Sequence, residues 1–207
     1  MAHGKNFSLD ELKSHLHYEP ETGKFFWLVK RKGVNPGDEA GCLNPGNGRW
    51  RVAYMYRLHS RYRLAWFYMT GKWPNGEIDH INGDRADDRW ENLRDVTRDI
   101  NCQNSRRAHR DSKSGELGVW FHEGNRKWCA QIATKVNGKT KMWWLGGYDG
   151  QAAASAAYMA AKVALHPESD FAHGLTFDLS ALRPIGVKNV MRAMEAARAQ
   201  NSSQAPT

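Results

Sequence analysis

A chain of 207 residues with 41% hydrophobic content has enough apolar material for packed cores, which argues against general disorder. Its three cysteines, Cys42, Cys102 and Cys129, form no CxxC pair, which argues against a zinc ribbon or a disulfide framework. A formal charge of +8, with nine Trp among the basic residues, points to a phosphate backbone as partner before a small-molecule substrate. No apolar run approaches the roughly 20 residues of a bilayer span, and the start has no signal-peptide core, so no membrane is expected and the reading is an intracellular protein.

In chain order, residues 8–17 read as a short helix, with Ser8 as N-cap, Glu11 completing a capping box, and Leu9, Leu12 and Leu16 as an apolar stripe. Lys24–Val29 reads as a strand, and a second strand follows around Trp50–Tyr56 after Gly- and Pro-rich turns. Tyr62–Met69 reads as a helix ended by Thr70-Gly71. Residues 1–75 thus form a small scaffold that flows into the next segment. A polar linker at about 108–116 precedes three strand-like runs, Gly118–His122, Lys127–Lys135 and Lys139–Gly146. Asn137-Gly138 makes a hairpin turn between the last two. An Ala-rich helix spans about Gln151–Leu165, and a further helix is expected at Val187–Ala199 before a disordered end.

Residues 76–107 carry the chemistry. Here the pattern is a strand holding Asp79-His80, a Gly-containing loop, a short strand Leu93–Val96, and a helix with Thr97 as its N-cap. Asn101 and Asn104 are three apart and so are expected on one helical face. An aspartate oxygen and an asparagine carbonyl are hard ligands suited to Mg²⁺ or Mn²⁺. A histidine beside them, with an ordinary pKa near 6.5, can take a proton from water. Metal plus base is what phosphodiester hydrolysis requires. Taken singly, an Asp-His pair by a turn or an Asn on a helix is a surface residue. The set and its spacing carry the signal.

That set resembles the HNH (His-Me finger) endonucleases of phages and mobile introns. Asp79-His80 is followed by Asn92 twelve residues after His80 and by Asn101 nine further on, with Tyr62–Trp66, Trp73-Pro74 and Glu91–Arg94 as flanking matches. The resemblance implies an α+β fold with a ββα-metal core at 76–107 and one Mg²⁺ or Mn²⁺ per active site, held by Asp79 and Asn101. It makes His80 the general base and Asn92 a catalytic-site residue that ties the loop and orients His80. Arg94 and Asn104 are supporting candidates for phosphate or loop contacts.

The later run Gly118-Val119-Trp120, Trp128–Ile132, Trp144–Asp149 and Ala152–Ala161 resembles the APETALA/ethylene-response-factor DNA-binding domain. This implies that residues 117–175 form a three-stranded antiparallel sheet packed on one helix, with 176–207 as a C-terminal helix and tail. By alternation Val119, Phe121, Trp128, Ala130, Ile132, Trp143 and Leu145 face the helix. The opposite face, Trp120, His122, Gln131, Ala133, Met142 and Trp144, is the implied DNA face, with Arg126, Lys127, Lys135, Lys139 and Lys141 at its rim. The family reads bases there with Arg. Trp120, His122, Ala133 and Met142 favour phosphate, stacking or shape contacts instead.

The combined reading is a metal-dependent endonuclease acting on double-stranded DNA in the cytoplasm of a bacterium or phage-infected host. A non-catalytic DNA-binding regulator with a decayed nuclease core is the alternative from another class, and an RNA-directed nuclease is a further one. The sequence leaves nicking versus double-strand cleavage, the recognition sequence and the oligomeric state open.

Overall fold

The Ser8 hydroxyl accepts from Glu11 N at 3.1 Å and starts α1 (Leu9–His15). The apolar stripe predicts helix through residue 17, yet Leu16 is extended and begins β1 (Leu16–Glu19). Pairing with β2 (Lys24–Trp27) sets Leu16 opposite Trp27, so the last stripe residue is buried as a strand residue instead. The computed structural model describes residues 7–105, 108–166 and 178–203, without side chains from 200 onward. It divides into two units, residues 1–102 and 103–207.

In the first unit, β3 (Cys42–Asn44), β4 (Arg49–Tyr54) and β5 (Arg57–Ser60) form an antiparallel meander. Only its middle strand is legible in the sequence pattern. α2 (Arg61–Thr70) ends at Gly71, which takes the left-handed conformation a C-terminal cap favours. β6 (Glu77–His80) and β7 (Leu93–Val96) are an antiparallel pair, joined by a loop that closes with a 3-10 turn at Trp90–Asn92. α3 (Arg98–Gln103) follows. One core runs through the unit: Leu12, Leu16, Tyr18, Phe25, Val52 and Leu64 pack with Ile78 of β6 and Leu93 of β7. The scaffold therefore fixes the hairpin from behind.

In the second unit, β8 (Val119–His122), β9 (Lys127–Val136) and β10 (Lys139–Tyr148) form a sheet of order β10-β9-β8. Asn137 and Gly138 both have positive φ, as a two-residue hairpin requires. α4 (Gln151–Leu165) lays Ala154, Ala157 and Ala161, all 0% exposed, against Val119, Ala130, Ile132 and Leu145. Small residues let the helix approach closely, and Gly118 is pressed so tightly that a Cβ there would come within 2.3 Å of the Tyr158 ring. The expectation of a sheet packed on one helix needs correction. α5 (Pro184–Ser203) adds Val190 and Ala193 to the same core, and a Cβ on its Gly186 would lie 2.4 Å from the Leu145 carbonyl oxygen. Its apolar positions bury against β10 instead of leaving the helix as an appendage. The expected domain end at 175 falls outside the described residues; of the end expected to be disordered, 201–207, residues 201–203 instead continue α5 and 204–207 fall outside the described residues.

Candidate active site and nucleic-acid face

Strand alternation decides which side chains can act together. On β6, Glu77 and Asp79 lie on one side and Ile78 and His80 on the other. Asp79 is opposite Arg94 in the register, and its Oδ2 accepts from Arg94 Nε at 3.0 Å and lies 2.9 Å from Nη2. Arg94 thus meets the carboxylate directly, a cross-strand pair of opposite charge. Asn101, whose backbone N–H bonds Thr97 O at 3.0 Å in the first turn of α3, donates its side-chain amide to Glu77 Oε2. Asn104 is 4% exposed, one residue beyond the end of α3 and in the second unit, so it is a turn residue and not a second helical position.

His80 is 3% exposed, and its Nε2 is 2.8 Å from Asp88 Oδ1. The second oxygen of Asp88, itself 0% exposed, accepts from Arg61 Nε at 2.8 Å. Arg61 also reaches the Ala86 carbonyl and Glu39, each at 3.3 Å, and stacks 4.3 Å over the Trp50 ring. The β1–β2 hairpin clamps the backbone of Asp88: Tyr18 donates its hydroxyl to Asp88 O at 2.8 Å, and Trp90 N bonds Pro20 O. Gly23, at φ +71, is so close that a Cβ would be 2.4 Å from the Asp88 carbonyl carbon. Tyr62 places its ring edge on against His80, centroids 5.3 Å apart, and Arg49 lies 4.9 Å over Tyr62.

Asn92 is the tie of the loop. Its Oδ1 accepts from Asn82 N at 2.8 Å and its Nδ2 donates to Asp87 O at 2.7 Å. Asp87 receives Arg89 and the Asn82 amide. The Arg89 hydrogen bond, against a smaller opposing effect of burial, holds its carboxyl down to about 2. Asp88 hydrogen-bonds the His80 ring, and Asn92 bonds the backbone of the residue before Asp88.

The structure gathers Asp79, His80, Asn92 and Arg94 around one hairpin, and ties Asn101 to its first residue, Glu77. The sequence gives no sign of a site role for Glu77, Asp88 or Arg61, and marks Tyr62 only as part of a flanking match. Among the described residues no group of three or more His, Cys, Asp or Glu is placed to hold an ion. Of the two expected ligands, the Asp79 carboxylate is paired with Arg94 and the Asn101 amide with Glu77. Because the Asn101 NH₂ points to Glu77, its carbonyl oxygen lies at the other end of the amide. Carboxylate and amide oxygens are hard donors of the class that suits Mg²⁺.

On the sheet of the second unit, the register puts Trp120, Cys129, Gln131, Ala133, Met142 and Trp144 on the face away from α4. Met142 is 51% and Trp144 38% exposed, and the Trp120 and Trp144 rings meet edge to face at 5.7 Å. His122 caps the turn before Arg126 by accepting from Asn125 N. Lys139 and Lys141 pair with Val136 and Thr134, on the side of the sheet opposite Trp144, and Lys141 Nζ sits 4.1 Å over the Trp143 ring. Lys127 is bound to Asp149. Phe121 packs beside Trp128 at the sheet's end but is 39% exposed.

Residues 61–103, from the start of α2 to the end of α3, match the family model described as HNH endonuclease. The match spans Arg61, Asp79, His80, Asp88, Asn92 and Asn101 together. It makes the protein a nuclease, a phosphodiester hydrolase, and implies DNA as its substrate. No curated protein and no solved structure matches the chain. No helix among the described residues is long and apolar enough to cross a membrane.

Proposed function

We propose that this protein is a metal-dependent HNH endonuclease that hydrolyses phosphodiester bonds of double-stranded DNA, nicking or cutting both strands. The observation that carries the reading is that Asp79 and His80, consecutive at the end of β6 and both buried, lie within the segment that matches the family. Asp79 and Asn101 would hold one Mg²⁺ or Mn²⁺, which when bound polarises the phosphate and stabilises charge on the leaving oxygen. His80 takes the proton from the attacking water. The hairpin and the scaffold behind it hold the ring in place, so little reorganisation is needed at the moment of attack. Asn92 keeps the loop after His80 closed, and Arg94 orients the Asp79 carboxylate from across the sheet.

The second unit supplies affinity. Trp120, Gln131 and Trp144 offer an aromatic and polar face, with His122 and Arg126 at one end. Lys139 and Lys141 stand near the far hairpin, where they can meet phosphates that pass the sheet's end. The exposure of Trp144 and Met142 supports this reading.

Plasmid cleavage with Mg²⁺, with Mn²⁺ and with excess EDTA tests the proposal, alongside Asp79→Ala and Asn101→Ala. Cleavage with either ion, and its loss with chelator and in both variants, is expected. Cleavage that persists in excess EDTA contradicts the mechanism.

A further inference from the structure

The nuclease reading assigns His80 its role but leaves the buried chain behind it unexplained. Asp88 is fully buried, contacts the His80 ring through one carboxylate oxygen and Arg61 through the other, and is held by its backbone from the β1–β2 hairpin. This is a costly arrangement for a loop residue, since a buried charge needs a partner and hydrogen bonds to persist. An alternating stretch of charged residues, Asp84 to Glu91, could place any of its carboxylates in water. Only Asp88 among Asp84, Asp87 and Asp88 is turned fully inward.

We propose that Asp88, anchored by Arg61, is a positioning residue that fixes the neutral His80 ring with its proton on Nε2. The inference rests on the proposed role of His80 as base. A carboxylate only accepts hydrogen bonds, so the 2.8 Å contact requires His80 Nε2 to be the donor. The lone pair of the neutral ring is then on Nδ1, the nitrogen that must take the proton. Arg61 fulfils two roles. Its Nε–H occupies the second oxygen of Asp88, which keeps the carboxylate from rotating away, and its charge compensates the burial. The Tyr62 edge restrains the ring plane from another side.

The amide isostere makes the idea testable. In Asp88→Asn, with Arg61 in place, the single amide oxygen is drawn to the Arg61 donor, and the NH₂ group then faces His80 Nε2. That geometry accepts only the other tautomer, with the proton on Nδ1. In the double variant Arg61→Gln/Asp88→Asn, the Gln oxygen can accept the Asn NH₂, which turns the amide oxygen back to His80.

Single-turnover DNA cleavage and ¹⁵N NMR of the histidine rings, recorded on the full chain above the ordinary histidine titration range, are the measurements. His80 is assigned among the nine histidines by the signal lost in His80→Ala. The wild type is expected to carry its His80 proton on Nε2. Asp88→Asn should move it to Nδ1 and lower the cleavage rate at least ~10²-fold, the scale of a lost general base, with DNA affinity within about twofold. The double variant should regain the Nε2 tautomer and most of the rate. A wild-type proton on Nδ1 overturns the proposal without any variant having to fold. So does an Asp88→Asn protein that cuts within a few-fold of wild type while His80→Ala does not. If His80→Ala cuts normally, the base assignment fails instead, and the wild-type tautomer still decides the role of Asp88.

Discussion

Arg61→Met is the perturbation whose cost the structure states most directly. The side chain is 3% exposed, donates to Asp88 Oδ2, the Ala86 carbonyl and Glu39, and stacks on Trp50. Methionine approximates its apolar stem but leaves Asp88, at 0% exposure, without its arginine partner. Removing one partner of a buried ion pair costs about 3–5 kcal/mol, because the surviving charge stays out of water. The lost stacking on Trp50 lies within that range's uncertainty. For a unit of this size, about 4 kcal/mol corresponds to a fall in melting temperature on the order of 15–30 °C. Urea denaturation read by hydrogen exchange of the β6 and β7 amides measures it. Adding Asp88→Asn to Arg61→Met removes the orphan charge and should recover more than half of the loss, a coupling that distant sites would not show. A cost for Arg61→Met under about 1 kcal/mol, or a double variant no more stable than the single, refutes the account of a buried pair.

Asn92→Ala deletes an acceptor for Asn82 N and a donor to Asp87 O, both part-buried, and should destabilise the loop by roughly 1–3 kcal/mol. Faster hydrogen exchange across residues 81–91 and a lower cleavage rate check this. His166, 7% exposed and bonded to the Ala133 carbonyl, has its pKa held below the ordinary value of 6.5 chiefly by burial, with the Lys162 charge adding to it. The unfolded chain therefore binds the proton first, so second-unit stability is full above about pH 6.5 and declines as pH falls below it. Urea midpoints from about pH 8 to about pH 5 should show the decline in the wild type and a flatter profile in His166→Gln. Trp144→Ala should weaken duplex binding several-fold with little change in salt dependence, whereas Lys139→Ala should reduce that dependence, as loss of a phosphate contact does. Fluorescence anisotropy over a salt series separates them.

Periodic segments were legible. The Ala-rich helix at Gln151–Leu165 and the strand Leu93–Val96 occur with the bounds expected, the helix because a run of alanines favours that one structure. The third position of a leucine stripe serves a helix and a strand equally well, so only pairing with Trp27 decides the state of Leu16. β3 and β5 are three and four residues long, with Leu43 and Leu58 exposed, so no apolar alternation announces them. At the site, Asp79, His80, Asn92 and Asn101 stand out by spacing. Asp88 does not, since it is one of several carboxylates in a charged loop and its partner Arg61 lies 27 residues upstream. Only the fold can show which of those charges is buried. α5 was legible as a helix, but its contribution to the core depends on the close approach of Gly186 to β10, which no local pattern encodes.

The central claim is that His80, beside Asp79 on β6, removes the proton from the water that cuts DNA. Single-turnover cleavage of a duplex by wild type and His80→Ala, in Mg²⁺ and with DNA affinity measured in parallel, tests it most directly. The account predicts a fall of at least ~10²-fold in rate with affinity nearly unchanged. A His80→Ala protein that cuts within a few-fold of wild type would contradict it.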